Sequence, residues 1–458
     1  MRISARPFCV TISAAVIAAG VLAGCGSSPP EDVRVSVTPA SSLLDQPVHM
    51  VISGLGAGRM VTVGLSSVDY DGHAWTSQAV FQSNGSGTVD LATAPAVSGS
   101  YRGINPMGLI DTMRPAPGQA GLLPGQAAAY QWDLAAPQRF AVKVTEGGTA
   151  VAGGSFSRGM VAPGVTATGE SIEATGFYGE FWAPPPGSTP RPGVLEFGGS
   201  EGGLDGQLAG AALASAGYPT LDIAYFGEPG LPSKLLDIPL EYFAGALRWL
   251  ARQPGVLASE MYVLGGSRGS EAALLLGAYY PGLVHGVIAS VPNDAALCSY
   301  PGCAGPAWTL DGKPLPYTRE FDNPHPSDNP AAVIPVQKIH GPVFLDCGTD
   351  DQIWTSCAYA QAIQQHLTAA GDRYPHVLYR YLGAGHFVGS LIPYEPSTPG
   401  PADPSDDGQG DTPLANLNAD ARLWPHLLAF LADPAASTGT FTAPATPPLL
   451  GRSGGSGA

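Results

Sequence analysis

Hydrophobic and polar positions change their period along this chain. Val33-Arg34-Val35-Ser36-Val37 and Met60-Val61-Thr62-Val63-Gly64-Leu65 alternate, so every second side chain faces the same way. That is the pattern of a half-buried strand. Turn signals interrupt it at Asp45-Gln46-Pro47, at residues 54–58, at Asp71-Gly72 and at Asn84-Gly85. Residues 131–160 continue in the same style, with Phe140-Ala141-Val142-Lys143-Val144 as a further strand. Short alternating strands with such punctuation predict an immunoglobulin-like all-β sandwich over residues 33–160.

Past a boundary at residues 158–168 the pattern changes. Short apolar runs at 194–197, 219–224, 261–264, 286–291, 343–345 and 377–381 read as strands. Stretches of helical character at 205–216, 241–252, 271–280 and 423–431 separate several of them. Repeated β-α units imply a mostly parallel, doubly wound sheet, an α/β catalytic domain over residues 168–433. Residues 434–458 are rich in Pro, Gly, Ser and Ala and read as a disordered tail.

The start of the chain reads as a leader outside the fold. Arg2 and Arg6 give it a basic beginning, and residues 10–21 are an apolar run too short for a comfortable membrane span. Leu22-Ala23-Gly24-Cys25 resembles a bacterial lipobox, with cleavage before Cys25 and lipidation of its thiol. An ordinary signal peptide is the alternative. The lipobox reading makes residues 1–25 a lipoprotein signal peptide and residues 26–32 a tether. It predicts a protein exported and lipid-anchored to the outer face of the bacterial cell membrane.

Charge and cysteine narrow the picture further. A formal net charge of −16 on 458 residues argues against nucleic acid as a partner and against charge-driven binding to anionic lipid. Export leaves Cys298, Cys303, Cys347 and Cys357 in an oxidising compartment, where disulfides form. Four cysteines allow three connectivities. The local pairs Cys298–Cys303 and Cys347–Cys357 are the simplest, with four buried thiols as the alternative. No pair has the partners or spacing of a zinc site, and nothing in the sequence calls for a cofactor.

The chemistry centres on Gly265-Gly266-Ser267-Arg268-Gly269, a G-x-S-x-G run between a strand and a helix. This is the form of a nucleophile elbow, in which a strained turn lifts Ser267 Oγ above the sheet. It also places the Arg268 amide at a helix start, where it can stabilise an oxyanion. An inert Ser on a Gly-rich turn is the competing explanation. A hydrolytic Ser needs an acid and then a His, in that chain order. Cys347-Gly348-Thr349-Asp350-Asp351 supplies the acid directly after a strand, with Asp351 preferred and Asp350 as fallback. Gly383-Ala384-Gly385-His386 supplies the His after the next strand. Gly198-Gly199-Ser200 follows an earlier strand, and Gly199 is the first choice for the second oxyanion donor. Residues 292–335 form a long Pro-rich insertion, a candidate cover for the site.

Several motifs in one order carry a family resemblance over nearly the whole mature chain. They are Leu44-Asp45-Gln46-Pro47-Val48, Gly103-Ile104-Asn105-Pro106-Met107-Gly108-Leu109, Phe197-Gly198-Gly199-Ser200-Glu201-Gly202-Gly203, Ala224-Tyr225-Phe226-Gly227, Leu240-Glu241-Tyr242-Phe243, the elbow, and the two triad loops. The chain resembles the acyl-CoA thioesterase and bile acid-CoA:amino acid N-acyltransferase family. The resemblance implies an α/β-hydrolase and hydrolysis of a fatty acyl-CoA thioester through an acyl-enzyme. A Ser nucleophile favours hydrolysis there, whereas the conjugating transferase uses Cys. Other readings are a cell-surface esterase, lipase or peptidase on the same triad, an N-acyltransferase, and a non-catalytic binding lipoprotein. Export sits uneasily with CoA, whose better-known family enzymes work inside cells.

Overall fold

The structure is a computed structural model that describes residues 32–118, 128–204, 206–398 and 413–447. Cys25, the leader and residues 448–458 lie outside the described residues.

The first domain is a two-sheet sandwich. Arg34–Thr38, His49–Ser53 and Val89–Asp90 form a small sheet. A larger one runs through Ser41–Leu43, Thr149–Gly159, Gln138–Glu146, Met60–Val68, Ala74–Gln82 and Ser98–Gly99. The period-two pattern does its expected job: Val61, Val63 and Leu65 are buried, while their neighbours face outward.

The second domain is built on a nine-stranded sheet. Its strands are β1 (Thr166–Glu170), β2 (Tyr178–Ala183), β3 (Arg191–Phe197), β4 (Thr220–Ala224), β5 (Val256–Gly266), β6 (Gly286–Ser290), β7 (Val343–Gly348), β8 (His376–Leu382) and β9 (Gly439–Pro444). Their spatial order is β1-β2-β4-β3-β5-β6-β7-β8-β9. The β1-β2 and β2-β4 pairs are antiparallel and the rest parallel, which is the α/β-hydrolase sheet. Helices α1 (Gln207–Ser215) and α5 (Pro413–Ala432) cover one face. Helices α2 (Leu240–Leu250), α3 (Arg268–Tyr279) and α4 (Ser356–Ala369) cover the other. Covered on both sides, β4, β6 and β7 are buried at every position, which explains their mostly apolar make-up; Asp222 in β4 and Asp346 in β7 are the buried carboxyls among them.

The tail reading needs correction. Residues 439–444 are not disordered but form β9, pairing in parallel with β8 from Val377↔Gly439 to Leu382↔Pro444. An edge strand needs little apolar surface, and β9 is mostly exposed, so composition hid it. Helix α5 starts at Pro413, ten positions before the predicted 423, and carries Pro425 inside it. Its first half holds Asn416, Asn418 and Asp420, all buried, where a sequence reading expects apolar residues. The Pro-rich insertion is partly packed into the domain. Leu297, Ala307 and Trp308 are buried, and Trp308–Leu310 pairs with Ile238–Pro239. Disulfides join Cys298 to Cys303 and Cys347 to Cys357, with Cα atoms 5.0 and 5.1 Å apart.

The two domains share one apolar core, which runs from Trp75 and Phe140 in the sandwich to Trp424 and Phe430 on α5. Polar contacts cross the same seam. Arg158, fully buried, donates to the carbonyls of Leu44 and Tyr394. Asn105 Nδ2 donates to Asn418 Oδ1 at 3.3 Å, and the Trp424 indole to Asp45 Oδ2 at 3.0 Å.

Burial also makes stability depend on pH. It pushes the Asp111 and Asp346 carboxyls up to about 7 and Asp294 up to about 8. In the unfolded chain each ionises near pH ~4. Between those limits the folded state keeps protons that the unfolded state has released, so stability falls as pH rises. Melting temperatures are expected to decline from about pH 5 to about pH 8, and Asp294→Asn to flatten the slope. A variant that melts with the wild-type pH dependence would show that Asp294 contributes nothing to it.

Candidate active site

Ser267 occupies the sharp turn between β5 and α3 with φ 53° and ψ −123°. A non-Gly residue in this region is strained by about 1–3 kcal/mol and persists only where its surroundings enforce it. Here they do. A Cβ on Gly265 would stand 2.3 Å from the Gly269 carbonyl oxygen, and one on Gly269 would stand 2.4 Å from the Gly198 carbonyl oxygen. Only glycine fits at those two positions, which is the physical reason for the spacing of the motif. The Ser267 amide donates to the Ser290 carbonyl at 3.1 Å, tying the elbow to the end of β6.

The structure brings Asp351 and His386 together. His386 Nδ1 lies 2.8 Å from Asp351 Oδ2, and both side chains are largely buried. This pairing places the proton on Nδ1 and leaves Nε2 as the basic nitrogen. The other Asp351 oxygen accepts from the amides of Ile353 and Trp354 at 3.0 and 3.2 Å, which fixes the carboxylate. Asp350 is exposed and meets Thr349 Oγ1 instead. The Cys347–Cys357 bridge closes the loop that carries Asp351. Trp354 packs edge-on against the His386 ring at 5.3 Å, and its indole donates to the Val291 carbonyl.

His386 begins a short 3-10 turn, His386–Ser390, whose Gly389 carbonyl lies against Gly266 of the elbow. Helix α5 anchors this turn at both ends. Gly385 N–H donates to Asn416 Oδ1 at 2.6 Å, and Ser390 Oγ to Asp420 Oδ2 at 3.0 Å. Below the turn Ser290 Oγ donates to Asp346 Oδ1 at 2.6 Å, so a buried carboxyl supports the residue that holds the Ser267 amide.

The two expected oxyanion donors differ in state. The Arg268 amide opens α3, while its side chain turns inward to a fully buried ion pair with Glu271 at 2.8 Å. That guanidinium also donates to the carbonyls of Leu297 and Cys298. Glu271 in turn accepts from the Trp308 indole, so this network fastens the insertion to the elbow helix. Gly199 packs on Ser267: a Cβ there would lie 3.3 Å from Ser267 Oγ. Its amide already donates to the Glu201 carboxylate. The Tyr225 hydroxyl spans the Gly198 and Gly199 carbonyls at 2.9 and 2.7 Å and holds this loop in place. Sequence reasoning assigned no role to Glu201, Tyr225, Glu271, Trp354 or Asn416. Of these Glu201 and Tyr225 stand in the motifs that carry the family resemblance, and Glu271 carried a signal in its i+3 spacing from Arg268 on a helix. Among the described residues no group of His, Cys, Asp and Glu side chains is arranged to hold a metal. No described helix is long and apolar enough to cross a membrane.

Known proteins match this arrangement across both domains. A family model described as "Acyl-CoA thioester hydrolase/BAAT N-terminal region" matches residues 45–170, and its C-terminal counterpart matches residues 238–298 and 309–434. The chain belongs to the acyl-CoA thioester hydrolase/BAAT family. Within this family, mouse (Mus musculus) acyl-coenzyme A thioesterase 6 is 30% identical over 77% of this chain and 85% of its own. Mouse acyl-coenzyme A amino acid N-acyltransferase 1 is 28% identical over 80% of this chain and 88% of its own. Among solved structures, a dienelactone hydrolase-like phosphotriesterase from metagenomic libraries covers 59% of this chain and 98% of its own, with 16% identity and a TM-score of 0.39. The thioesterase/BAAT matches thus span the Ser267 turn, the Asp351 and His386 loops and most of the sandwich.

Proposed function

We propose that this protein hydrolyses an acyl thioester, of the acyl-CoA type, through Ser267, His386 and Asp351. The observation that carries the reading is the Asp351–His386 bond beside a strained Ser267 elbow. In the proposed cycle Ser267 Oγ attacks the thioester carbonyl and His386 Nε2 takes its proton. The C–S bond breaks, the departing thiolate receives that proton, and an acyl-Ser267 ester remains. Water, deprotonated by His386, then attacks the ester; the acyl C–Oγ bond breaks, His386 returns the proton to Ser267 Oγ, and the acid is released. In this reading the amides of Gly199, once released from Glu201, and of Arg268 stabilise the oxyanion of each tetrahedral intermediate.

Transfer of the acyl group to an amine is the second reading, favoured by the N-acyltransferases among the relatives. The test uses matched acyl chains as CoA thioesters and p-nitrophenyl esters, with and without amino acid acceptors. Free acid from the thioester, unchanged by acceptor, is the expected product. Conjugate formation would replace hydrolysis by transfer. Turnover of simple esters alone would mean that the site serves another acyl donor.

We also propose that the chain is exported and lipid-anchored at Cys25. The Leu22-Ala23-Gly24-Cys25 sequence supports this, and two disulfides suit an oxidising compartment. Cys25→Ala is expected to move the protein from the membrane fraction to the soluble fraction. Unchanged membrane partition would remove the lipid anchor from this account.

A further inference from the structure

We propose that Glu201 occupies the oxyanion subsite of the resting protein and must swing out before an acyl carbonyl can bind. The proposal rests on the reading of Ser267 as nucleophile and Gly199 as oxyanion donor. Gly199 N–H donates to Glu201 Oε1. The second carboxylate oxygen lies over the same glycine. An ideal Cβ on Gly199 would stand 3.1 Å from Glu201 Oε2 and 3.3 Å from Ser267 Oγ. One small volume above Gly199 is thus bordered by the nucleophile and by a carboxylate oxygen. An oxyanion from the substrate needs that volume and that amide, and an anion already holds both.

The surroundings allow the side chain to move and not the loop. Behind Glu201, the Tyr225 hydroxyl holds the carbonyls of Gly198 and Gly199. Ahead of it, Gly203 N–H donates to the Phe226 carbonyl at 2.9 Å, and a Cβ on Gly202 would meet the Phe226 ring at 2.7 Å. The backbone is therefore pinned on both sides of a residue that is itself exposed. Rotation of the Glu201 side chain exchanges its carboxylate for the incoming carbonyl oxygen at the Gly199 amide. The bond is local, between residues two apart, so it forms with little ordering cost. As a charge-assisted bond it still competes with substrate.

The test measures the rate at which a small neutral fluorophosphonate labels Ser267, which needs no knowledge of the natural acyl donor. Full-length wild-type protein, Glu201→Gln and Glu201→Ala are compared, with melting temperatures as a check on folding. Both variants are expected to label faster, by about tenfold, because a charged competitor for the Gly199 amide is gone. Phenylboronic acid, whose Ser adduct carries an anionic oxygen, is expected to bind both variants more tightly by a similar factor. Equal or slower labelling in folded variants would overturn the role of Glu201 while leaving the nucleophile in place. No labelling of Ser267 in any of the three would instead overturn the nucleophile reading, and this inference with it.

Discussion

Ser267→Ala is expected to lower kcat on the best acyl thioester by at least about 10⁴-fold, with the melting temperature within a few degrees of wild type. The size follows from the chemistry. Without Oγ no acyl-enzyme forms, and what remains is attack by water on a substrate polarised by the backbone donors alone. The small effect on folding follows from the structure. The backbone conformation at 267, with φ 53°, is held by Gly265, Gly269 and the Ser267 amide bond to Ser290, none of which uses the hydroxyl. Thiol release under saturating substrate, measured beside thermal unfolding, separates the two. A folded variant that kept a tenth of wild-type turnover would mean that Ser267 is not the nucleophile.

Asp351→Asn is expected to cost about 10⁴-fold in kcat, and Asp350→Asn to leave it nearly unchanged. The neighbouring acids differ in what they touch. Asp351 accepts from His386 Nδ1 and from two backbone amides, and its side chain is almost fully buried. An Asn there can present its NH₂ to Nδ1, which shifts the ring proton to Nε2 and removes the base. Asp350 points to solvent beside Thr349, so losing its charge changes no contact of His386. Parallel kinetics on the two variants decide the assignment. Equal losses, or a larger loss at 350, would reverse it.

Much of the site could be read from order along the chain. G-x-S-x-G, an Asp after the β7 strand and a His after β8 name three side chains because the sheet is parallel. Each strand delivers its following loop to the same edge, so sequence order becomes spatial proximity. The choice between Asp350 and Asp351 was weaker, since either can leave a turn toward the His. Burial and the two amide bonds separate them. The Asn416 contact was invisible for a different reason. It comes from a helix whose first half buries Asn416, Asn418 and Asp420 beside Leu417, Ala419 and Ala421, and it acts on the backbone of Gly385, 31 residues away. Strand β9 was lost as a whole because an exposed edge strand has no hydrophobic signature.

By itself the sequence determined the two-domain plan, the parallel sheet, and the elbow with its following acid and histidine. These depend on local periodicity and on the steric demands of single turns, which a linear chain carries in full. Only the tertiary structure decided that Arg268 is spent on a buried pair with Glu271, that helix α5 fastens the His386 turn, and that Glu201 lies on the Gly199 amide. Each of these depends on which polar groups the folded chain brings together. A donor must find an acceptor wherever packing puts one, and for the α5 contacts, 30 and 31 residues away, no local pattern encodes that partner.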